Sequence, residues 1–386
     1  MKLEVSYHVT TPLFLGGANA EEIAELRPPT IKGLVRFWFR AVALPRLGTW
    51  PAVWKAERGL FGSTESQGVF LLSLVSRSKF TVMPSPEPWH NHGAIYLGYG
   101  VVDRDKTVRT YKTVRPYLKP GGSFTVQLIF KKGVSKQDIG LLAQALKALG
   151  LFGGAGARAR KGFGSLSLKS LHLDGREAWH PPTDKESLQR AIREFLGEIG
   201  IDHANRERPA YTAFSPETKV CIAQTGRDAF QLLDEIGKEF LRYRSYGRQS
   251  GDEHVLPWGE TAEQNFRDDH DLVLNHLGRQ QITNHPRRAV FGLPHNYFFL
   301  STKQKATVEA ASLKRRASPL FIHIHALANG QYAAVLTLLP AVFLPEGEPI
   351  KVSGGRSTNV PCNVDFRVIE AFLNRPRFKE RVVVWP

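Results

Sequence analysis

The segment LGLFGGAGARARKGFG, residues 149–164, decides the predicted fold because it ends a helix and leads into a strand. Upstream, Ser135 and Asp138 form a capping box ahead of apolar residues at helical spacing. Gly150 is expected to end that helix, and Gly164–Leu171 to form the following strand. A helix that leads through a glycine-rich loop into a strand is typical of the second half of a split βαβ unit.

The residues before this segment supply the other elements of such a unit. Lys2–Val9 alternates apolar and polar residues as a strand does, and Thr30 precedes a helix from Ile31 to about Leu47. Val69–Val75 and Phe124–Phe130 are short apolar segments that we predict to be strands. The first half of the chain therefore has the predicted order βαββαβ.

The second half repeats this order after the turn residues Asp174-Gly175 and Pro181-Pro182. Its predicted elements are a connecting helix capped by Thr183 and Glu186, a strand Lys219–Gln224, a helix Asp228–Arg244, an extra helix from Thr261 and Gln264 to about Leu277, a hairpin Leu320–Leu327 and Gln331–Leu338 around Asn329-Gly330, a helix Asp365–Leu373 and a strand Arg381–Trp385. We therefore predict an α+β protein of two tandem ferredoxin-like (RRM-like) domains with helical insertions. Residues 1–182 carry the glycine-rich loop, and residues 183–386 carry the extra helices.

Charge limits the classes of partner. Lys and Arg number 52 against 36 Asp and Glu, which gives the 386 residues a formal net charge of +16 and favours a polyanionic partner. A basic surface that serves only solubility or assembly is the alternative. No apolar run approaches the roughly 20 residues that span a bilayer. Cys221 and Cys362 form no metal-ligand cluster, so we expect a cytoplasmic protein without metal or cofactor.

The glycine-rich segment is the first candidate contact for phosphate groups. Gly153, Gly154 and Gly156 allow a ligand to approach the backbone closely. The cations of the segment are Arg158, Arg160 and Lys161. A dinucleotide fingerprint would have to leave a strand and open a helix, and this segment does the reverse. The alternative interpretation is a glycine-rich connection without a binding role.

Two further groups of cations are candidates. Lys106, Arg109, Lys112 and Arg115 recur every third residue, with tyrosines interleaved, so we expect an extended loop or finger that suits single-stranded nucleic acid. A solvated run of charge is the alternative. Lys32, Arg36 and Arg40 are spaced by four on the first helix and share one face.

Candidates for catalysis are weaker. His323 and His325 share a face of a predicted strand, and no neighbouring carboxylate or cysteine completes a metal site, so a satisfied pair is the better interpretation. His8 is the first candidate for a general base, but no residue near it in the sequence orients it.

Several segments together resemble a known family. They are Thr11–Gly17, Arg27–Arg40, Leu60–Ser63, Gly153–Gly164 and Arg315–Leu320. The glycine-rich stretch resembles the loop of the RAMP superfamily, and RPPTIKGLVRFWFR at 27–40 resembles the first subunits of the Cmr complex, the type III-B CRISPR effector.

The resemblance implies tandem ferredoxin-like domains and a non-catalytic RNA-binding and assembly role in antiviral RNA silencing. The implied partners are guide or target RNA, as single strands, and the other Cmr subunits. The RNA-facing residues that it implies are Gly153, Gly154, Gly156, Arg158, Arg160 and Lys161, with Lys32, Arg36 and Arg40 facing RNA or a neighbouring subunit. The alternatives are a metal-independent endoribonuclease that processes guide RNA and a protein-only scaffold subunit.

Overall fold

The computed structural model describes residues 1–17, 19, 21–105, 110–204 and 207–385. The described α-helices are α1 Pro28–Leu47, α2 Trp50–Phe61, α3 His92–Leu97, α4 Lys136–Phe152, α5 Lys185–Glu198, α6 Ala229–Arg244, α7 Arg267–Leu277 and α8 Arg367–Leu373, and Arg287–Phe291 forms a 3₁₀ helix. The strands of the first half are β1 Lys2–Val9, β2 Phe70–Arg77, β3 Val82–Met83, β4 Pro88–Trp89, β5 Val102–Arg104, β6 Tyr111–Thr113, β7 Tyr117–Leu118, β8 Ser123–Phe130, β9 Leu166–Leu173 and β10 Arg176–Trp179. Those of the second half are β11 Lys219–Gly226, β12 Arg248–Ser250, β13 Glu253–Val255, β14 His295–Phe298, β15 Lys305–Ala310, β16 Leu320–Ala326, β17 Tyr332–Leu338, β18 Ile350–Gly354, β19 Arg356–Val360 and β20 Val382–Trp385.

The protein is a mixed α+β structure with antiparallel sheets. The first main sheet has the strand order β10-β9-β1-β8-β2. Leu3, Val5 and Tyr7 of β1 point into the core while the residues between them are half-exposed, which confirms the predicted period of two. Helices α1 and α4 cover this buried face.

The second main sheet has the order β16-β17-β11-β20. The hairpin of β16 and β17 around Asn329-Gly330 is confirmed, and Gly330 adopts a positive φ of 84°. Helices α6 and α8 pack on one face of this sheet. Residues of the other face, including Ile222 and Val335, join the core of the first half.

A third sheet of four strands was missing from the sequence prediction, which assigned no element to residues 278–319 or 339–364. Its order is β14-β15-β18-β19, and it forms a separate core with α7 around Val273, Val308 and Ile350. Its strands span only four to six residues, and their alternation is too brief to separate them from loops in a sequence.

Several predicted helix boundaries are wrong for local reasons. Helix α1 begins at Pro28, and Arg27 precedes it without a side-chain cap, because proline fits the first turn. Asp184, not Thr183, caps α5, since its carboxylate accepts the N–H of Ser187 at 2.7 Å. Gln264 adopts a positive φ of 54°, so α7 begins only at Arg267.

Gly150 does not end α4, which continues to Phe152. A Cβ at Gly150 would lie 2.6 Å from the Cβ of Leu168 on β9. The glycine therefore allows the helix to pack closely on the sheet.

The outer edge of β16 joins the two halves. Three backbone N–H groups and one carbonyl on this edge pair with groups of the first half. The four hydrogen bonds are Ile322 N–H to Arg160 O (3.1 Å), Ile324 N–H to Ser165 Oγ (3.1 Å), Ala326 N–H to Ser167 Oγ (2.6 Å) and Thr10 Oγ1–H to Ile324 O (2.6 Å). The strand edge is thus covered by the glycine-rich loop and by hydroxyl groups near β1 and β9.

A second joint lies between α3 and α6. The buried carboxylate of Asp234 accepts the N–H groups of Gly93 at 2.8 Å and Ala94 at 3.0 Å, so α6 caps the first turn of α3. Gly93 also faces Gly237 so closely that a Cβ at Gly237 would lie 2.3 Å from the Gly93 carbonyl oxygen.

Replacing Gly237 with Ala is expected to force α3 and α6 apart. We expect the free energy of unfolding to fall by about 1–3 kcal/mol, as for other overpacked contacts. Urea unfolding followed by circular dichroism measures the loss. Gly140→Ala in α4 is the control, because nothing lies within 4 Å of its added Cβ, and it should leave stability unchanged or raise it by about 0.5–1 kcal/mol. Equal effects of the two variants would contradict the close packing.

Candidate polyanion-binding cleft

A cleft of about 890 Å³ lies where the two halves meet. The first half contributes α3, the loop after it and the glycine-rich loop. The second half contributes the end of α6, the 3₁₀ helix, β14 and the segment before β16. Both halves must therefore fold and dock before the cleft exists.

Seven cationic side chains line the cleft. They are Arg115, Arg158, Lys161, Arg244, Arg288, Arg315 and Arg316. Among the described residues, no Asp or Glu lines the cleft, and Arg288 is the one of these cations that forms an ion pair, with Asp269 at 3.6 Å. Six cationic side chains of the cleft thus form no ion pair with a carboxylate in the described part of the chain.

The glycine-rich loop places two of these cations. Arg158 has a positive φ of 64°, and its Nε donates to the carbonyl of Leu97 at 2.9 Å. The Nζ of Lys161 lies 3.4 Å from the Oγ of Ser318 and 4.8 Å from the ring centroid of Phe240. Because the backbone of Lys161 is bridged to β16, its side chain is held at the cleft.

Arg244 lines the cleft from the last turn of α6. Its guanidinium donates to Tyr96 Oη at 3.0 Å and lies 3.2 Å from the Nε2 of His295. It also lies over the rings of Phe240 and Phe291, at 4.8 and 4.7 Å. Its Nε is buried without a hydrogen-bond partner among the described residues. Aromatic rings and neutral polar groups thus surround a buried cation.

Burial and the crowding of like charges lower the pKa values of two groups in the cleft. Burial, and next to it Arg244, Arg158 and Arg160, hold the pKa of Lys161 well below its ordinary value. Burial and the neighbouring cations likewise hold the pKa of His295 well below its ordinary value. A bound polyanion would offset both the burial and the repulsion. The arrangement of charges is therefore chemically suited to an anionic ligand with several charges.

The structure brings together only some of the predicted site residues. Arg115, Arg158 and Lys161 line the cleft, and Arg160 points from the same loop into a neighbouring cavity. Lys106 and Arg109 lie outside the described residues. The backbone of Gly153, Gly154 and Gly156 is packed against the protein itself: a Cβ at Gly156 would lie 2.3 Å from the Phe14 carbonyl oxygen. As RNA contacts these glycines stay a prediction.

The cations of α1 are engaged with α2 and β2. The Nε of Arg36 lies 2.7 Å from the buried carboxylate of Glu57, and the Nε of Arg40 lies 3.7 Å from it. The Nζ of Lys32 lies 5.8 Å from the ring centroid of Phe70. Of the three, only Arg40 reaches the cavity next to the cleft. The shared helix face is confirmed, but much of its charge is paired.

The described part of the run of spaced cations includes a short strand where we expected an extended loop or finger. Tyr111–Thr113 is strand β6 and pairs with β4 and β5, and Lys112 forms an ion pair with Asp105 at 2.8 Å. Tyr117 is buried, and its Oη donates to Glu87 at 2.5 Å, so its ring is not free for a base. Backbone pairing of short strands overrides the threefold spacing.

Sequence reasoning missed Arg244, Arg288, His295, Arg315 and Arg316 as members of one site. The signals were weak: Arg244 follows Phe240 by four residues on the buried side of α6, and Arg288 and Arg316 each belong to an Arg-Arg pair. A cation on the apolar side of a helix is costly to bury without compensating polar groups. Here the side chain of Arg244 faces the cleft.

Comparison with known proteins agrees with the sequence motifs. The family model described as the RAMP superfamily matches residues 6–167. The CRISPR system Cmr subunit Cmr1-1 of Pyrococcus furiosus is 25% identical over 345 residues, which cover 84% of this chain and 83% of the relative. Cmr1-2 of the same organism is 30% identical over 175 residues, which cover 42% of this chain and 91% of the relative. The chain belongs to the Cmr1 family of the RAMP superfamily.

Solved structures share the fold of this Cmr1-family chain. The crystal structure of Cmr1 from Pyrococcus furiosus in its apo form matches with a TM-score of 0.55 and 18% identity, over 100% of this chain and 99% of that one. A chain of the type III-B Cmr-beta complex bound to cognate target RNA matches with a TM-score of 0.51 and 13% identity, over 96% and 98%.

The histidines considered for catalysis or metal binding lie away from the cleft. His323 and His325 are buried between the two halves, 3.2 Å apart, and the Nδ1 of His323 donates to the carbonyl of Gly153 at 2.8 Å. His8 lies on β1 against the Oγ of Ser123, at 3.2 Å. Within the described ranges, no group of three or more His, Cys, Asp or Glu residues could hold a metal ion, and no helix is long and apolar enough to cross a membrane.

The buried histidine pair makes stability depend on pH. Burial lowers the pKa of His323 from 6.5 to about 4. This shift corresponds to a contribution of roughly 3 kcal/mol to the free energy of unfolding. Between these two values the unfolded chain binds a proton on this ring that the folded chain does not bind. The free energy of unfolding should therefore fall as the pH falls from 6.5 to 4.

Urea unfolding at several pH values in this window measures the effect, with His323→Gln as the comparison. Carboxylates that titrate in the same range affect both proteins alike, so the difference isolates the ring. We expect a shallower pH dependence in the variant. Parallel curves for the two proteins would show that His323 does not stay neutral.

Proposed function

We propose that the protein is an RNA-binding and assembly subunit of a type III-B CRISPR ribonucleoprotein effector, which acts in antiviral RNA silencing. In this proposal the cleft contacts guide or target RNA as a single strand, the other Cmr subunits are protein partners, and the complex acts in the cytoplasm. The observation that carries the proposal is the set of six cleft cations without a carboxylate partner among the described residues. The Cmr subunit names of the relatives support the assembly role.

Single-stranded RNA suits the cleft better than a small anion does. A volume of about 890 Å³ exceeds what one phosphate group needs, and the cations line the cleft from several sides. Tyr96 and Tyr99 line the same wall, and Tyr99 is 67% exposed. Exposed rings beside cations allow bases to stack while phosphates are neutralised.

The finer fold assignment belongs to this proposal. Within the first main sheet, β9-β1-β8-β2 is the order 4-1-3-2 of a βαββαβ unit, and β20-β11-β17-β16 repeats that order in the second. We propose two tandem ferredoxin-like domains, residues 1–182 and 183–386. The four-stranded sheet is then built from two insertions. One insertion, with α7, β14 and β15, lies between the first helix and the second strand of the C-terminal domain, and the other, with β18 and β19, lies between its third strand and its second helix. The cleft lies between the two domains.

We further propose that the chain holds RNA without cutting it. His323 and His325 are buried between the two halves, where His323 donates to the carbonyl of Gly153. Burial holds the pKa of both rings below the ordinary value of histidine. Burial and then Lys169 also lower the pKa of His8, which lies on β1 away from the cleft cations. A general base has to reach the 2′-hydroxyl of the bound strand, and these three rings do not line the cleft.

Replacing Arg158, Arg160 and Lys161 together with Ala tests the role of the loop. RNA affinity should fall for all sequences. The plot of log affinity against log salt should become shallower by up to about 2, because each phosphate contact on a single strand contributes roughly 0.7. Fluorescence anisotropy with labelled single-stranded RNA at several salt concentrations measures both quantities.

The control for this variant removes the same charge elsewhere. Lys132, Lys136 and Arg190 are exposed, lie outside the cleft and form no ion pair among the described residues. Their triple Ala variant should keep nearly the affinity and salt dependence of the parent. If both variants lost affinity equally, net charge and not the cleft would hold RNA, and the proposal would be wrong.

The same samples separate holding from cutting. After binding, RNA that is run on a denaturing gel should keep its full length, with or without a chelator. Shortened RNA that disappears in His8→Ala would favour the endoribonuclease alternative. RNA affinity no better than that of a neutral control protein would favour the protein-only scaffold.

A further inference from the structure

A second cavity of about 450 Å³ adjoins the cleft and has a different composition. We call it the aromatic cavity. Its lining residues are Phe37, Arg40, Trp50, Arg160, Ala210, Tyr211, Thr212 and Arg316. Three aromatic rings and three guanidinium groups thus surround a space of the size of one nucleotide.

The indole ring of Trp50 gives the aromatic cavity an exposed flat surface. Trp50 is the first residue of α2 and is 41% exposed although it is large and apolar. The ring of Tyr211 packs edge-on against it at 4.9 Å, and the Tyr211 hydroxyl donates to the carbonyl of Arg40 at 3.2 Å. These contacts fix the indole ring without covering it. A held, uncovered ring is a surface on which a base stacks well.

Two of the three guanidinium groups of the aromatic cavity, those of Arg160 and Arg316, form no ion pair among the described residues, whereas Arg40 is paired with Glu57. Arg160 lies over the rings of Phe37 and Phe321, at 5.3 and 4.6 Å, and its NH1 donates to the carbonyl of Ser318 at 2.5 Å. Burial, and next to it Arg316, lower the pKa of Arg160 to about 10. In the described part of the chain, neither arginine forms an ion pair. Arg316 also has a buried Nε without a partner there.

The aromatic cavity is continuous with the cleft through two groups. Arg316 lines both spaces. Arg160 and Lys161 are consecutive, and they direct their side chains into the aromatic cavity and the cleft respectively. The N–H of Lys161 donates to the carbonyl of Arg158 at 2.8 Å, so both cations belong to one turn of the loop, and this turn serves both spaces. A strand of RNA that crosses this loop would meet both sets of cations.

We propose that the aromatic cavity takes one nucleotide of the strand held in the cleft, with the base stacked on Trp50 and its phosphate near Arg160 and Arg316. This inference rests on the proposed function, since the cleft must bind RNA for the strand to arrive. An aromatic or aliphatic side chain of a protein is a poorer occupant, because it would leave the half-buried guanidinium groups without an anion. A nucleotide supplies both the ring and the negative charge.

The test compares Trp50→Ala with Trp54→Ala. Trp54 lies on the same helix, is 48% exposed and does not line the cavity, so it is a matched control. Trp50→Ala should lower the affinity for single-stranded RNA by roughly five- to 150-fold, the loss expected for one stacked base. Because stacking involves no counterion release, the salt dependence should not change. Trp54→Ala should keep the affinity of the parent.

Two probes identify the base as the group that is bound. A ribose-phosphate strand of the same length without bases should bind the parent and Trp50→Ala equally. A free mononucleotide that protects Trp50 from chemical oxidation in the parent would show that the cavity also accepts the nucleotide alone. With RNA that contains 5-iodouridine, irradiation should yield a crosslink at Trp50 or Tyr211.

Each other outcome overturns the inference in a distinguishable way. Equal RNA affinity of both tryptophan variants and the parent would show that no base stacks on Trp50. An equal loss for RNA and for the abasic strand would mean that Trp50 supports the backbone path or the fold. Loss of assembly with partner subunits at unchanged RNA affinity would make the cavity a protein-docking site. A parent protein that binds no RNA would refute the proposed function itself.

Discussion

The structure depends on how the outer edge of β16 is paired. An edge strand presents unpaired N–H and C=O groups that must find partners when they are buried. Here the partners are not another strand of the same sheet but the backbone of Arg160 and the hydroxyl groups of Thr10, Ser165 and Ser167. Small hydroxyl side chains suit this position because they reach the edge without separating the two halves. The halves are therefore joined by directional hydrogen bonds as well as by apolar contact.

The electrostatic site follows from this joint. Pairing of the loop backbone with β16 fixes where Arg160 and Lys161 emerge, and the Asp234 cap holds α3 against α6, so that Tyr96 meets Arg244. Neither half has the complete set of cations. The cleft and the aromatic cavity thus exist only when the two halves are docked. The hydrogen bonds between the halves set the geometry of both spaces.

Local patterns in the sequence predicted the local features. Period-two alternation identified β1, the Ser135 cap identified α4, and Asn329-Gly330 identified the hairpin. The cations of the glycine-rich segment included Arg158 and Lys161, which do line the cleft.

What covers a surface could not be predicted, because that depends on residues far apart in the chain. A stripe of Arg36 and Arg40 shows which side chains share a helix face, but not that Glu57 of the next helix lies against it. Arg244, Arg288 and Arg316 are separated by many residues, and only docking brings them together. The short strands of the third sheet carry too little alternation to be recognised, although their core is well packed.

The clustered cations also set a trade-off between folding and binding. Like charges that lack carboxylates repel one another, and this repulsion is present in the folded protein but not in the extended chain. The ligand-free protein is consequently less stable than its apolar cores would allow, and a bound polyanion raises its stability by linkage. Residues chosen for binding commonly lower the stability of a fold in this way. In the proposed function, a ligand that supplies the missing negative charge would therefore also stabilise the fold.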